Sequence, residues 1–160
     1  MLIGSNVPEA IRHNIWNGDF INLGLLLPKN LTSVTETNTN SLSIVGGSLV
    51  VQPKPASKIM DIITWTDAFI ICISIFTVTH PEHIAGLLKY MHSVRLGARR
   101  HGGLGWRSFD EPFRSKKALT QESPWGMVDQ ELWVLFMLYP GQTSGNNPSP
   151  QTNLKCYEFN

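Results

Sequence analysis

The longest apolar run of the chain covers residues 59–79 and predicts a helix. A helix that is apolar around most of its circumference has to be enclosed by other elements. A run of roughly 20 apolar residues is also long enough to cross a bilayer. However, a carboxylate near the centre of a spanning helix costs about 2.5–3.5 kcal/mol. We therefore interpret the run as the central helix of a soluble bundle, with Asp61 as a helix-start charge and Asp67 as a partnered core group. Its polar members would share one narrow stripe: Asp61, Thr64, Asp67, Ser74 and Thr77.

Two shorter helical segments are predicted before this run. Asn6 is placed to cap the first of them, with Pro8 in its first turn. Asp19 offers a cap for the second, which would end at Pro28. Residues 29–40 are rich in Thr, Asn and Ser without a period, so we expect a mobile loop there.

A β-hairpin is predicted at residues 41–51. Two short β-prone runs flank the pair Gly46-Gly47, a sequence typical of a two-residue hairpin turn. A hairpin of this size is marginal alone, so we expect it to pack on the helices.

Three more helices are predicted after the central one. A capping-box pattern at 79–82 opens a second long helix over about 80–100. The next helix carries an aromatic face, although Pro112 limits how regular this helix is. A last helix would begin at Ser123. The expected inward side chains are Ile84, Leu87, Leu88, Met91, Val94 and Ala98 on the second long helix, Trp106, Phe109 and Phe113 on the next, and Val128, Leu132, Leu135, Phe136 and Tyr139 on the last.

These elements predict an all-α fold with a single domain of ordinary size. The chain has 160 residues, enough to bury a substantial core. We expect five or six helices bundled around the apolar helix 59–79, with the hairpin 41–51 attached. The domain would cover residues 1–139. The Pro-, Ser- and Asn-rich composition of residues 140–160 predicts a linker.

The net charge of +1 hides a strongly uneven distribution. Eight of the thirteen lysines and arginines lie in residues 89–117, opposed there only by Asp110 and Glu111. This could be a phosphate-binding surface or an ordinary solvated helix face. Arg107 and Arg114 could instead pair with the two acids. The candidate nucleic-acid-binding residues are Lys89, His92, Arg95, Arg99, Arg100, Arg107, Arg114, Lys116 and Lys117.

No motif in the chain predicts catalysis or a cofactor. His80 and His83 are spaced like metal ligands, but no Cys or carboxylate stands at ligand spacing around them, so we expect no metal site. Cys72, flanked by isoleucines, is interpreted as packing rather than as a nucleophile. Two distant cysteines form no disulfide framework, and the start of the chain lacks a signal-peptide pattern. We expect an intracellular protein, nuclear or cytoplasmic, without a membrane partner.

Five blocks of the sequence together resemble a known family. They are NIWNGDFINL at 14–23, ITWTDAFII at 63–71, HPE at 80–82 with LLKYM at 87–91, GLGWRSFDEPFR at 103–114 and VDQELW at 128–133. Their order resembles the first open reading frame of tyrosine-recombinase retrotransposons, the DIRS and Ngaro-like elements. Pro112 departs from the helix-compatible residue expected in that family.

The resemblance implies a non-enzymatic, Gag-like structural protein that self-associates and packages RNA or DNA. It also implies a zinc finger after the linker, of which Cys156 would be the first ligand and whose remaining ligands this sequence does not include. An alternative is a host-adopted or scaffold domain that binds a protein partner or oligomerises without nucleic acid. The resemblance implies no cofactor.

Overall fold

The chain is mostly α-helical in a computed structural model that describes residues 2–28, 40–45, 47–53 and 58–138. Some of the predictions above lie outside these residues: most of the loop at 29–40, the end of the domain at Tyr139, the linker and Cys156. The helices are α1 Glu9–Trp16, α2 Ile62–Thr79, α3 Ile84–His101, α4 Gly105–Leu119 and the short α5 Gln130–Leu132, which continues as a π-helical segment Trp133–Leu138.

Two strands lie between α1 and α2 in the chain. Strand β1 Asn40–Val45 pairs antiparallel with β2 Ser48–Pro53, with Val45 opposite Ser48. Gly47, in the connection, has a φ of +81°, which a glycine adopts without a steric cost.

Several polar side chains of α2 hydrogen-bond to its own backbone. The carboxylate of Asp61, predicted as a helix-start charge, accepts the Thr64 backbone N–H at 2.7 Å and caps the helix. The hydroxyls of Thr66, Ser74 and Thr77 each donate to a carbonyl four residues earlier. The side chain of Asp67 is exposed, so its prediction as a partnered core group was wrong.

The interior face of α2 carries the centre of the core. Its buried apolar side chains are Trp65, Ala68, Phe69, Ile73 and Ile75. It packs against α1, α3 and the 3₁₀ turn Leu23–Leu26. Within the described residues, α2 is also the one helix whose length and composition would allow it to cross a membrane, and 33% of it is buried. The central helix of a folded domain meets the same criterion.

Helix α4 contributes the aromatic face that its sequence predicted. Trp106, Phe109 and Phe113 are all buried, and Pro112 sits on the exposed side of a continuous helix. Phe113 stacks on Tyr90 of α3 with 4.6 Å between the ring centroids. This aromatic stack joins α3 to α4.

The buried face of α3 is rotated from the predicted one. Ile84 and Leu88 are about half exposed, whereas Tyr90 and Gly97 are buried. A Cβ on Gly97 would lie 2.7 Å from the Met137 methyl carbon. The missing side chain at Gly97 therefore lets the C-terminal segment approach α3 closely.

The ends of several helices differ from the sequence predictions. Pro8, rather than Asn6, occupies the cap of α1, and the segment after Asp19 forms only the turn Leu23–Leu26. The last helix begins at Gln130 instead of Ser123, with Asp129 as its cap. Beyond it the π-helical segment changes the period, so Leu135 is exposed and Met137 is buried.

Candidate nucleic-acid interface

One face of α3 carries a set of exposed basic side chains. The opposite face is fixed in the core by Leu87, Tyr90 and Val94, and this orients the set toward solvent. No aspartate or glutamate occurs between Ile84 and His101. We call this surface the cationic face, and its members are Lys89, His92, Arg95, Arg99 and Arg100, all exposed.

The charges of the cationic face are not neutralised within the described part of the protein. None of its lysine and arginine side chains has a carboxylate oxygen within 4.0 Å there. Arg99 and Arg100 lie in the last turn of α3, where cations also interact favourably with the carbonyl end of the helix. The face is thus both locally stable and available to an external anion.

A shallow concavity runs beside the cationic face. It has a volume of about 480 Å³ and lies where the last turns of α3 meet the start of α2. Arg95, Arg99 and His92 stand at this concavity, together with apolar groups of Ile62 and Met91. A polyanion that follows the face would meet apolar surface as well as charge.

Two further candidates, the partly buried Arg107 and the exposed Lys116, are already paired. Arg107 lies 3.7 Å from the Glu111 carboxylate, and its guanidinium also approaches the Met60 sulfur at 3.6 Å. Lys116 donates to Asp129 at 2.6 Å. That bond raises the pKa of Lys116 and lowers the pKa of Asp129. Both cations would have to exchange a carboxylate for a phosphate in order to bind.

Arg114 was predicted to contact phosphate, and the structure corrects this prediction. Its side chain is 8% exposed and donates from Nε to Asp110 at 2.9 Å and from Nη1 to the Ile21 carbonyl at 2.8 Å. The alternative in which the arginines pair with Asp110 and Glu111 is the arrangement found.

Lys117 is corrected in the same way. It is 6% exposed, and its ammonium donates to the carbonyl and the hydroxyl of Ser123 and lies 5.1 Å from the Trp125 ring centroid. Burial lowers the pKa of Lys117. This lysine fixes the loop after α4 rather than facing solvent.

Helical spacing accounts for the buried positions of Arg114 and Lys117. Residues three and four apart share a helix face. Asp110 lies four residues after Trp106, Arg114 lies four after Asp110, and Lys117 lies four after Phe113, and all of them are buried. Lys116 lies three residues after Phe113 but is exposed, so this spacing alone does not separate the buried cations from the exposed ones.

The histidine pair at the start of α3 has a structural role. Nε2 of His80 lies 2.8 Å from the carbonyl of Trp16, so that nitrogen must carry the proton and donate. His80 and His83 each approach Glu82 at 3.6 Å. Across residues 2–28, 40–45, 47–53 and 58–138, no three His, Cys, Asp or Glu side chains cluster as a metal site would require.

Cys72 is held as a thiol beside a small internal cavity of about 50 Å³. Burial raises the pKa of Cys72 to about 11, against a partial lowering by Arg114. A neutral thiol is a poor nucleophile.

Comparisons of the chain with protein-family models, with curated proteins and with solved structures found no match.

Proposed function

We propose that the protein is a retroelement Gag-like structural module that self-assembles and packages nucleic acid, RNA or DNA, through its cationic face. The observation that carries the proposal is the unpaired state of Lys89, Arg95, Arg99 and Arg100 within the described residues, on a helix without a single acidic residue. The five sequence blocks that resemble tyrosine-recombinase retrotransposons support the structural, non-enzymatic role.

The spacing of the cationic face suits a phosphate backbone. Arg95 and Arg99 are one helical turn apart, and the span from Lys89 to Arg100 covers roughly 16 Å of helix axis. Each phosphate that a lysine or arginine neutralises releases condensed counterions. Four such contacts predict a slope of log K against log salt of about −3 to −4. The contacts are to the backbone, so we expect little dependence on base sequence.

The test is a salt titration of binding to fluorescent RNA and DNA oligonucleotides. The double variant Arg99→Glu/Arg100→Glu should lose most of its affinity and flatten the slope. The control is Lys116→Glu, which makes the same charge change as each single Arg→Glu substitution, half that of the double variant, at a side chain already paired with Asp129. Circular dichroism would establish that each variant is folded. If the double variant binds with the affinity of the wild type, the proposed interface is wrong.

A second candidate function is a protein-interaction or oligomerisation domain, host-adopted or scaffold, without nucleic acid. It is favoured by apolar side chains that the C-terminal segment turns to solvent. Val134, Leu135 and Leu138 are 46%, 51% and 44% exposed. Grouped exposed apolar residues mark interaction surfaces. Under this function light scattering should give a mass that rises with concentration, and Leu135→Lys should suppress the rise without changing nucleic-acid binding.

A further inference from the structure

A groove separate from the cationic face lies between the N-terminal turn of residues 2–5, α1 and the last turns of α2. Its volume is about 390 Å³, within the range of ligand sites in proteins. Its lining includes Leu2, Ile3, Arg12, Trp16, Ile75 and Val78.

The walls of this groove are fixed by specific contacts. Gly4 has a φ of +82°, and a Cβ there would lie 2.9 Å from Cγ1 of Ile75, so only glycine allows the turn to rest on α2 this closely. On the other side, the indole N–H of Trp16 donates to the Ile75 carbonyl at 3.0 Å. The groove is therefore a formed feature of the fold.

Arg12 brings to the lining of this groove a guanidinium that has no carboxylate partner within the described residues. Its Nε–H is buried and has no hydrogen-bond partner in the described residues, while the guanidinium carbon lies 5.9 Å from the Trp16 ring centroid. The neighbouring carboxylate of Glu9 faces His13 instead, at 3.6 Å. A buried donor without an acceptor is costly, and more so on a charged group. A ligand carboxylate on the groove side would neutralise this guanidinium through a charge-assisted hydrogen bond.

The rim of the groove indicates a ligand that extends beyond it. Leu2, Ile3 and Val78 are 86%, 59% and 72% exposed. A small molecule is normally enclosed over most of its surface, whereas these side chains surround an open trough. Among the residues that the structure describes, no acidic side chain lines the groove, so none of them repels a negatively charged ligand there. An acidic segment of a polypeptide with apolar neighbours fits both properties.

We propose that this groove binds a peptide segment of a partner protein in which a carboxylate is flanked by large apolar side chains. The carboxylate pairs with the Arg12 guanidinium, and the apolar side chains pack on Leu2, Ile3 and Val78. The site is independent of the cationic face and of nucleic-acid binding.

The test uses two synthetic peptides, acetyl-Ala-Leu-Glu-Leu-Ala-amide and the same peptide with Gln in place of Glu. Binding to the full chain is followed by the NMR signals of the Trp16 indole N–H and the Gly4 amide. The Glu peptide should shift both signals and bind at least about tenfold more tightly than the Gln peptide.

Three variants test which side chains bind the peptide. Arg12→Gln should weaken binding of the Glu peptide about tenfold and remove the preference for Glu over Gln. Val78→Asp, at an exposed position that leaves Arg12 intact, should weaken binding of the Glu peptide by a similar factor, because the new carboxylate repels that of the peptide. Arg95→Gln removes a guanidinium from the cationic face and should leave peptide binding unchanged.

Four results would overturn the proposal. They are an absence of shifts up to millimolar peptide, equal affinity for the two peptides, tighter binding of sodium octanoate than of the Glu peptide, and displacement of the peptide by an oligonucleotide. The octanoate result would assign the groove to small amphiphiles. Loss of nucleic-acid binding in Arg99→Glu/Arg100→Glu has no bearing on these outcomes.

Discussion

Arg114 donates its Nε–H to Asp110 at 2.9 Å, one turn earlier on α4, and both side chains are buried. The second oxygen of Asp110 accepts the hydroxyl of Tyr90 at 2.8 Å, and Arg114 also donates to the carbonyl of Ile21 at 2.8 Å. Burial, together with the charge of Asp110, raises the pKa of Tyr90 well above its ordinary value. Asp110 thus joins α4 to α3, and Arg114 extends the network to the segment after α1.

Removal of one member of this network should strongly destabilise the fold. Asp110→Ala leaves a buried guanidinium without its counter-ion, and breaking such a pair costs about 3–5 kcal/mol. The control is Glu111→Ala, which removes an adjacent but exposed carboxylate paired with Arg107 and should cost less than about 1 kcal/mol. Urea denaturation measures both. Similar losses in the two variants would mean that the buried pair contributes no more than the surface one.

This network shows which buried residues local sequence patterns predict and which they do not. The aromatic period of α4 is a strong signal, and the structure buries Trp106, Phe109 and Phe113 as predicted. The apolar run of α2 supplies much of the core but was expected to be enclosed, whereas Ile63 and Val78 are exposed. On α3, Leu87 and Val94 are buried as predicted, but so are Tyr90 and Gly97, which hydrophobicity alone ranks poorly. Tyr90 is buried because Asp110, twenty positions away, satisfies its hydroxyl. Such long-range pairing cannot be derived from local spacing.

The candidate site residues were also predicted with unequal success. Lys89, His92, Arg95, Arg99 and Arg100 are exposed, because they lie on the side of α3 away from Leu87, Tyr90 and Val94. Arg114 is buried although it was predicted to contact phosphate, because it pairs with Asp110 on α4 and with the carbonyl of Ile21, 93 positions earlier. The groove around Arg12 had no signal at all, since it is assembled from three separate segments.

Gly97→Ala should destabilise the protein although alanine favours helices over glycine by about 1 kcal/mol. The new methyl group would lie 2.7 Å from the Met137 methyl carbon and 2.8 Å from the edge of the Trp133 ring. Overpacking of this kind costs about 1–3 kcal/mol. In a double-mutant cycle of thermal or urea unfolding, Met137→Ala should partly relieve the effect of Gly97→Ala. Strictly additive effects would contradict the contact.

Neutralising single members of the cationic face should change the salt dependence of nucleic-acid binding by discrete steps. Arg95→Gln removes one phosphate contact and should make the slope less steep by about 0.7 to 0.9. Lys116→Gln changes the net charge equally, but its ammonium is held by Asp129, so the slope should stay near that of the wild type. Anisotropy titrations at several salt concentrations measure both slopes. Equal changes would indicate a response to net charge alone.

Cys72 should react slowly with alkylating reagents in the folded protein. Burial raises its pKa to about 11, so at pH 8 its thiolate fraction is on the order of 100-fold below that of a free cysteine. The folded state favours the neutral thiol. Stability from this group is therefore full below the ordinary cysteine pKa and declines as the pH rises toward 11. Mass spectrometry of a Cys156→Ser background, with and without urea, measures the rate. Fast alkylation of the folded chain would contradict the assigned environment.

The cap of the last helix should make a pH-dependent contribution at acidic pH. Asp129 accepts the Leu132 backbone N–H at 3.1 Å and the Lys116 ammonium at 2.6 Å. The hydrogen bond from Lys116 lowers the pKa of Asp129, followed in importance by the bond from Leu132. A carboxyl with a lowered folded-state pKa stabilises the fold above its unfolded pKa, near 3.9, and loses this contribution as the pH falls through the folded value.

Two substitutions at this position separate the cap from the charge. Asp129→Ala removes both and should cost about 1 kcal/mol at neutral pH. Asp129→Asn keeps a good cap but not the ion pair, so it should lower the free energy of unfolding by less than Asp129→Ala does. Added salt should reduce the difference in stability between Asp129→Asn and the wild type. Once the pH has fallen below the lowered folded-state pKa of Asp129, the protonated carboxyl resembles asparagine, and the wild type and Asp129→Asn should converge in urea unfolding. If the free energies of unfolding of the two proteins still differ at that pH, the carboxylate charge does not cause the difference. The difference would then be one of packing.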